Sequence, residues 1–307
     1  MKILVVGSEG FIGSNLCRYF VEKGLQVYGA DVVEPLAYAK YQHIKVSRLS
    51  AEWDDIFQLT NFNLCINAAG SGNVPYSISH PLIDFEANAG DVIQILDAIR
   101  KYNPLCNYLH ISSAAVYGNP IVFPIKETDI LQPVSPYGFH KLMSELICKE
   151  YTELFNLRTA VIRPFSVYGE GLRKQLFWDI CQKIDNSVEG KITLFGTGDE
   201  SRDFIYIDDF VELIYLITSK CEFNGNIYNA ASGQETTIKQ IAKLVMIEMP
   251  GVKINFSKGI RNGDPNNWRA DITKIQALGF KPLISITEGL KRYLDWFKTM
   301  YSDEQSA

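Results

Sequence analysis

Tyr137 and Lys141 are the pair of residues whose types and spacing most directly suggest chemistry. Because an α-helix completes a turn about every 3.6 residues, side chains at these two positions lie on the same face of a helix. Pro136, directly before Tyr137, suits the first turn of such a helix. An ammonium beside a phenol favours the phenolate, so we expect the pKa of Tyr137 to fall toward the working pH. Such a phenolate could take a proton from an alcohol, although the same spacing also occurs where a tyrosine packs and a lysine is solvated.

A glycine-rich turn near the N-terminus predicts a phosphate-binding loop. The apolar run 3–6 leads directly into Gly7, Gly10 and Gly13, and an amphipathic pattern then ends at Gly24. This order indicates a strand, a tight turn and a helix. Glycines let the backbone approach a pyrophosphate closely, and a helix N-terminus offers free N–H groups and a positive dipole end. A plain strand–turn–helix with glycines for packing is the alternative, and the neighbouring residues favour a dinucleotide.

An acidic residue closes the next predicted strand, at 26–30. Asp31 at that position can accept hydrogen bonds from both ribose hydroxyls of adenosine and would repel a 2′-phosphate. Val32 and Val33 supply no cation to hold such a phosphate. The sequence therefore predicts NAD as the cofactor rather than NADP.

The remaining chain alternates buried strands with helices, which is typical of an α/β fold with a doubly wound parallel sheet, the Rossmann arrangement. We predict further strands at 44–46, 64–67, 108–111 and 159–163, and helices at 81–101 and 137–154. The carboxyl ends of parallel strands meet at one edge of the sheet. We therefore expect Ser113, Tyr137 and the loop 67–72 to meet there.

Composition excludes several other functions. The net charge is -5 over 307 residues, so there is no basic surface for nucleic acid, and 47% hydrophobic residues indicate a folded chain. The six cysteines and four histidines are scattered, so we expect reduced thiols in a cytoplasmic protein and no metal site. No segment has the roughly 18 apolar residues of a membrane span, so we expect a soluble protein without membrane contact.

Taken in order, these motifs resemble those of the extended short-chain dehydrogenase/reductases, and among them the NAD-dependent nucleotide-sugar epimerase/dehydratase family with its UDP-glucose 4-epimerase-like members. The resemblance covers nearly the whole chain. The matching segments are 7–13, Asp31, 67–70, Asn88, 112–118, Tyr137 with Lys141, 163–169, 202–209, 229–233 and 261–264.

The resemblance implies that hydride leaves a sugar carbon, most often C4, for the nicotinamide and gives a keto sugar. Tyr137 is then the base, Lys141 lowers its pKa and hydrogen-bonds the nicotinamide ribose, and Ser113 shares the hydrogen bond of the reacting hydroxyl. The implied cofactor-binding residues are Gly7, Gly10, Phe11, Ile12, Gly13, Asp31, Ala68, Ala69, Gly70, Asn88, Ser112, Tyr137, Lys141 and Pro164.

A nucleotide-diphosphate sugar is the implied substrate. Arg202 and Arg261 would bind its diphosphate, because guanidinium forks match phosphate oxygens. Asp264 would contact the nucleotide ribose, and Ser113 and Ser166 would complete the substrate contacts. A solvated surface cation is the alternative for each arginine, and a turn residue before a proline is the alternative for Asp264.

The implied architecture is an NAD-binding domain of residues 1–165 and about 203–232, with a smaller, discontinuous nucleotide-sugar domain of about 166–202 and 233–307. Members of this family usually form homodimers through a four-helix interface. The helices that begin near Pro81 and Tyr137 would supply it, with Phe85, Ile93, Leu146 and Tyr151 as candidate contacts.

Three functions remain open at this point. The leading one is 4-epimerisation, in which one NAD removes hydride and returns it to the other face of the keto sugar. The second is a net 4-dehydrogenase or 4-keto-sugar reductase, and the third is a catalytically silent member that binds a nucleotide or a protein. A 4,6-dehydratase is disfavoured, because Ala114 and Ala115 stand where dehydratases carry acids. The sequence names neither the base nor the sugar.

Overall fold

Short apolar runs of the sequence form the strands of a mainly parallel sheet. Segments whose apolar residues recur with the helical period form the helices around it. In the computed structural model, residues 1–35, 39–47, 52–257, 259 and 267–306 are described. The strands are β1 (Lys2–Val6), β2 (Gln26–Asp31), β3 (Gln42–Lys45), β4 (Leu64–Asn67), β5 (Asn107–Ile111), β6 (Thr159–Pro164), β7 (Ser166–Tyr168), β8 (Lys191–Leu194), β9 (Ser201–Tyr206), β10 (Asn226–Ala230), β11 (Glu235–Thr237) and β12 (Lys253–Phe256).

The helices are α1 (Phe11–Glu22), α2 (Trp53–Leu59), α3 (Val74–Ser79), α4 (Pro81–Phe85), α5 (Asp91–Tyr102), α6 (Pro136–Phe155), α7 (Gln175–Asp185), α8 (Ile207–Lys220), α9 (Ile238–Glu248), α10 (Thr273–Gln276) and α11 (Ile286–Ser306). A π-helical turn, Glu86–Gly90, joins α4 to α5, and a 3₁₀ turn, Ala114–Tyr117, follows β5. The helix predicted at 81–101 is therefore α4, the π turn and α5 in succession.

Two compact units can be distinguished within the chain. The first comprises Met1–Asn119, Glu127–Pro164 and Val211–Asn229, and the second comprises Pro120–Lys126, Phe165–Phe210 and Ala230–Ala307.

The sheet of the first unit has the strand order β10-β6-β5-β4-β1-β2-β3, and parallel ladders join β6 through β3 in that order. The strands β4 and β6 are buried along their whole length, as expected when helices cover both faces. The order of the sheet reverses between β1 and β4, where doubly wound folds bind their ligands. The predicted α/β fold with a doubly wound parallel sheet is thus confirmed.

The second unit contains a three-stranded sheet of order β11-β9-β7 and a parallel pair, β8 with β12. β7 runs parallel to β9, and β11 runs antiparallel to it. A cluster of buried aromatic rings packs this unit, and its members are Tyr168, Phe177, Phe204, Tyr206 and Tyr293.

All six cysteines are free thiols, and only Cys221 is not buried. Within the described ranges, no cluster of three His, Cys, Asp or Glu side chains is arranged to hold a metal ion. No described helix combines the length and the apolar character that crossing a bilayer requires.

Candidate active site

The loops that follow β1 and β4 touch each other where the strand order reverses. Gly7 directly follows the first strand with a φ of +80°, and its N–H donates to the Ala30 carbonyl at 2.8 Å. A Cβ atom at Gly7 would lie 2.7 Å from the backbone nitrogen of Ala69. Only glycine fits both this backbone conformation and this close approach, so the turn can lie directly against the loop that follows β4.

Helix α1 packs directly on this turn. A Cβ atom at Gly13 would lie 1.9 Å from the Gly7 carbonyl oxygen, whereas one at Gly10 would lie 3.3 Å from the same oxygen. Gly10 is the N-terminal cap residue of α1, and Phe11 and Ile12 begin the helix. The predicted strand, glycine turn and helix are therefore present, with Gly13 as the position of closest packing.

Asp31 fixes the glycine turn from the end of β2. Its Oδ2 accepts a hydrogen bond from the Glu9 N–H at 2.9 Å, and its Oδ1 accepts one from the Val33 N–H at 3.0 Å. Each carboxylate oxygen has a further lone pair. The arrangement leaves Asp31 able to accept hydrogen bonds from a ribose at the position that the sequence predicts.

Asn67 and Asn88 shape the loop after β4. The Asn67 Oδ1 accepts from the Ala69 N–H at 3.0 Å. The Asn88 amide donates to the Ser71 carbonyl at 3.3 Å, and a Cβ atom at Gly70 would lie 2.4 Å from the Asn88 Oδ1. That oxygen is buried and has no hydrogen-bond partner among the described residues. Ala68 belongs to the same loop, and its N–H donates to the Val6 carbonyl at 2.9 Å.

Ser113, Tyr137 and the end of the loop after β4 come together beside the sheet edge. The Ser113 side chain lies beside the Tyr137 phenol and lowers its pKa. A Cβ atom at Gly72 would lie 3.8 Å from the Tyr137 hydroxyl oxygen. The Tyr137 backbone N–H donates to the buried Ser77 hydroxyl at 3.2 Å. The structure therefore holds the phenol next to a second hydroxyl and a glycine loop, and Ser77 is a contact that the sequence analysis missed.

The expected fall in the pKa of Tyr137 is wrong for this structure. Burial raises that pKa to about 12, while the Ser113 hydrogen bond lowers it and the Asp84 carboxylate raises it further. The Lys141 ammonium donates to the Ile111 carbonyl at 3.0 Å, and burial lowers the pKa of Lys141 to about 8. The charge of Lys141 alone would favour the phenolate, but the cost of desolvating that phenolate is larger.

A buried ionic network, also missed by the sequence analysis, fixes the neighbouring serine. Ser112 is buried, and its hydroxyl donates to the Glu145 carboxylate at 2.5 Å. The same carboxylate pairs with Arg163 at 2.6 Å, on the strand that ends at Pro164. The signal in the sequence was the glutamate four residues after Lys141, on the same face of α6.

Two of the expected substrate-binding residues lie on adjoining strands of the second unit. Ser166 on β7 is paired with Phe204 on β9, two residues from Arg202. Since alternate residues of a strand share a face, Ser166 and Arg202 project from the same side of this sheet. The Arg202 guanidinium lies 5.4 Å from the centre of the Trp268 ring, and its Nη1 donates to the Ser201 carbonyl at 2.8 Å. Arg261 and Asp264 lie outside the described residues.

The aspartate that follows Arg202 joins three segments of the second unit through hydrogen bonds. The Asp203 carboxylate accepts hydrogen bonds from the backbone N–H groups of Ser232, Gly233 and Ala270, at 2.9, 3.1 and 3.1 Å. The Ser232 hydroxyl donates to it at 2.8 Å. Burial nevertheless raises the pKa of Asp203 to about 6. Asp203 therefore stabilises the backbone next to Arg202, which is its structural role in the motif 202–209.

Residues 3–231 match the model of a family described as NAD dependent epimerase/dehydratase. The chain belongs to this family. It is therefore an enzyme of the extended short-chain dehydrogenase/reductase type, and its cofactor is NAD. The glycine cradle of the first unit, its acceptor at Asp31 and the unpartnered buried oxygen of Asn88 fit that cofactor.

Among solved structures, the chain is similar to the UDP-glucuronic acid 4-epimerase from Bacillus cereus in complex with UDP-glucuronic acid and NAD. The TM-score is 0.89 at 27% identity, over 98% of this chain and 100% of that one. It is also similar to UDP-glucose 4-epimerase from Thermotoga maritima with UDP-glucose, with a TM-score of 0.88 at 27% identity and the same coverage. Among curated relatives, CDP-paratose 2-epimerase from Salmonella typhi is 26% identical over 96% of this chain and 99% of its own length.

Proposed function

We propose that this enzyme is an NAD-dependent 4-epimerase of a nucleotide-diphosphate sugar. The observation that carries the proposal is the position of the Tyr137 phenol, which lies beside the Ser113 side chain and Gly72 at the edge where the strand order reverses. The Bacillus cereus and Thermotoga maritima enzymes, both 4-epimerases of UDP-sugars, support the choice of C4. The Salmonella typhi relative epimerises at C2, so the carbon is the part of the proposal that needs a direct test.

In the proposed reaction, Tyr137 as phenolate takes the proton of the sugar hydroxyl. The Ser113 hydroxyl donates a hydrogen bond to the same oxygen and stabilises its developing charge. NAD, when bound, supplies the acceptor for the hydride that leaves the sugar carbon. In the reverse half-reaction the hydride would return to the sugar carbon while Tyr137 gives its proton back to the keto oxygen. Net epimerisation follows if the keto sugar presents its other face.

Lys141 has a separate role in this proposal. Its ammonium is buried and already donates to the Ile111 carbonyl. An ammonium has three donors, so two remain for the hydroxyls of the nicotinamide ribose. Lys141 thereby sets the position of the nicotinamide relative to the sugar carbon.

We also propose that the first unit binds NAD and that the second unit binds the nucleotide sugar. Arg202, with Ser166 on the same sheet face, offers a guanidinium for the diphosphate, and Arg261 and Asp264 complete the proposed set from the sequence. The buried free thiols are in keeping with a reducing compartment, so we place the enzyme in the cytoplasm.

The experiment uses the purified enzyme with a panel of UDP-, GDP-, dTDP- and CDP-sugars and NAD. Selective stabilisation against heat by one nucleotide would identify the base, and proton NMR of the products would then identify the carbon and the reaction. We expect an equilibrium mixture of two C4 epimers without net formation of NADH. A keto sugar or acid formed with stoichiometric NADH would instead establish a dehydrogenase, and inversion at C2 would also contradict the proposal.

A second test uses the variant Tyr137→Phe, which removes only the phenolic oxygen. We expect turnover to fall about 10³-fold, within the range that a positioned general base contributes. Nucleotide-induced stabilisation should remain close to that of the parent enzyme. Substantial turnover by Tyr137→Phe would exclude this residue as the base.

We further propose that the enzyme is a homodimer through α4, α5 and α6. Phe85, Ile93 and Leu146 on these helices are 39%, 42% and 57% exposed, so their apolar side chains are available for such an interface. Tyr151, which the sequence analysis grouped with them, is 6% exposed and packs in the core of its own unit, so it is not available for such an interface.

A further inference from the structure

A second pair of ionisable side chains lies next to the proposed catalytic residues. The Asp84 carboxylate on α4 accepts a hydrogen bond from the His140 ring on α6, with 2.6 Å between Oδ2 and Nδ1. His140 directly precedes Lys141 in the sequence and lies one turn from Tyr137. The Asp84 side chain is fully buried, and that of His140 is 11% exposed.

The Asp84 carboxylate is only half satisfied. Its Oδ1 is buried and has no hydrogen-bond partner in the part of the chain that the structure describes. Glu145, which lies on the same face of α6 as Lys141, offers a contrast, because both of its oxygens accept hydrogen bonds from Arg163. A carboxylate whose oxygens are both paired serves packing, whereas a bare buried oxygen keeps a strong negative potential in its low-dielectric surroundings.

The position of Asp84 is fixed on both sides. The Asp84 carbonyl accepts a hydrogen bond from the Asn88 amide at 3.1 Å, and the same amide donates to Ser71 in the loop beside Tyr137. On its other side the Phe85 ring contacts the His140 ring edge-to-face, with 5.5 Å between the ring centres. A π-helical turn, a feature common at functional sites, carries Asn88 immediately after α4.

We propose that Asp84 is a positioning residue whose buried negative charge keeps Lys141 in its ammonium form beside Tyr137. This inference rests on the proposed function, because it assigns a purpose to the ammonium of Lys141. A neutral amine would be a weaker hydrogen-bond donor to the nicotinamide ribose.

The influences on the pKa of Lys141 have the direction that this role of Asp84 requires. Burial is the main influence on the pKa of Lys141 and lowers it, and Asp84, Glu145 and Cys148 raise it in that order. His110 on β5 also faces the ammonium, and burial keeps the pKa of its ring well below the usual value, so it adds no positive charge near neutral pH. Removing the charge of Asp84 should therefore lower the pKa of Lys141. It should also lower the pKa of Tyr137, which Asp84 raises.

The test compares the full-length parent with Asp84→Asn and His140→Asn. Lysine labelled with ¹³C at Cε reports the titration of Lys141 by NMR, and Lys141→Arg assigns its signal. We expect the Lys141 pKa of Asp84→Asn to lie about one unit below that of the parent, as removal of a nearby opposite charge requires. His140→Asn keeps the carboxylate, so its Lys141 should titrate no lower than in the parent. Asp84→Ser, smaller and also neutral, should give the same displacement as Asp84→Asn.

The rate of sugar turnover against pH gives a second readout. Both limbs of the profile should move to lower pH in Asp84→Asn, since the pKa values of Tyr137 and Lys141 both fall, and neither limb should do so in His140→Asn. A Lys141 titration that is unchanged in folded Asp84→Asn, or displaced equally in both variants, would overturn the inference. Because the NMR titration needs no substrate, it decides the role of Asp84 even if the parent fails to turn over nucleotide sugars, a result that would contradict only the proposed function.

Discussion

Glu145 and Arg163 form a buried, two-pronged ion pair. The carboxylate accepts from the guanidinium Nε at 2.9 Å and from Nη2 at 2.6 Å. The Ser112 hydroxyl donates to the same carboxylate, and the Tyr117 hydroxyl accepts from the Arg163 Nη1 at 2.8 Å. Because Ser112 directly precedes Ser113, this network fixes the strand end that presents the proposed catalytic hydroxyl.

We predict that Glu145→Gln destabilises the fold by about 3 to 5 kcal/mol, because it leaves the buried Arg163 charge without a counter-charge. The free energy of unfolding in urea measures the effect. Glu150→Gln, on an exposed position of the same helix, is the matched control and should change stability by less than about 0.5 kcal/mol. Equal stability of the two variants would show that Arg163 finds other partners.

We predict that Ser113→Ala lowers the rate of turnover near neutral pH, because it raises the pKa of Tyr137. The Ser113 hydrogen bond lowers the pKa of Tyr137, so its loss raises that pKa from about 12. Tyr137 acts as a base only when deprotonated, and at pH values below the pKa each unit of increase lowers the phenolate fraction about tenfold. Initial rates near neutral pH check this, and a rate equal to that of the parent would contradict this role of Ser113.

We predict that Asp31→Asn weakens NAD binding about tenfold and narrows the preference for NAD over NADP. The amide keeps the shape of the side chain, but it loses the charge that strengthens hydrogen bonds to the ribose and repels a 2′-phosphate. Calorimetric titration with both cofactors measures the two affinities. Asp55→Asn, on an exposed position of α2, should leave both unchanged. An unaltered ratio of the two affinities would locate the discrimination elsewhere.

The fold and the cofactor loop were predictable from sequence because their signals are local. Gly7 is required by its positive φ, and Gly13 is required by its close contact with the Gly7 carbonyl. Apolar runs indicate strands that are buried on both faces of a sheet. Helix α3 was missed, although its signals were present. Asn73 caps it by accepting a hydrogen bond from the Tyr76 N–H, and Pro75 occupies its first turn.

The electrostatic partners of the site were not predictable in this way. Asp84 and His140 are 56 residues apart in the sequence, and no periodicity relates them. His140 directly precedes Lys141 and therefore projects about 100° from it around α6, but helical periodicity does not identify the element that packs on that side. The predicted direction of the Tyr137 pKa shift was wrong for the same reason, because the cost of burial depends on tertiary packing.

The dimer proposal gives the last prediction, since it depends on which apolar side chains the first unit leaves exposed. Leu146 on α6 is 57% exposed, and α5, which carries the exposed Ile93, packs beside α6. A carboxylate at the centre of an apolar interface would be desolvated without a partner, at a cost of several kcal/mol. We therefore predict that the parent sediments as a dimer and Leu146→Glu as a folded monomer. Leu59→Glu, at an 80% exposed position of α2, should remain a dimer. A monomeric parent would contradict the dimer proposal, and a dimer that tolerates Leu146→Glu would place the contact on a different surface.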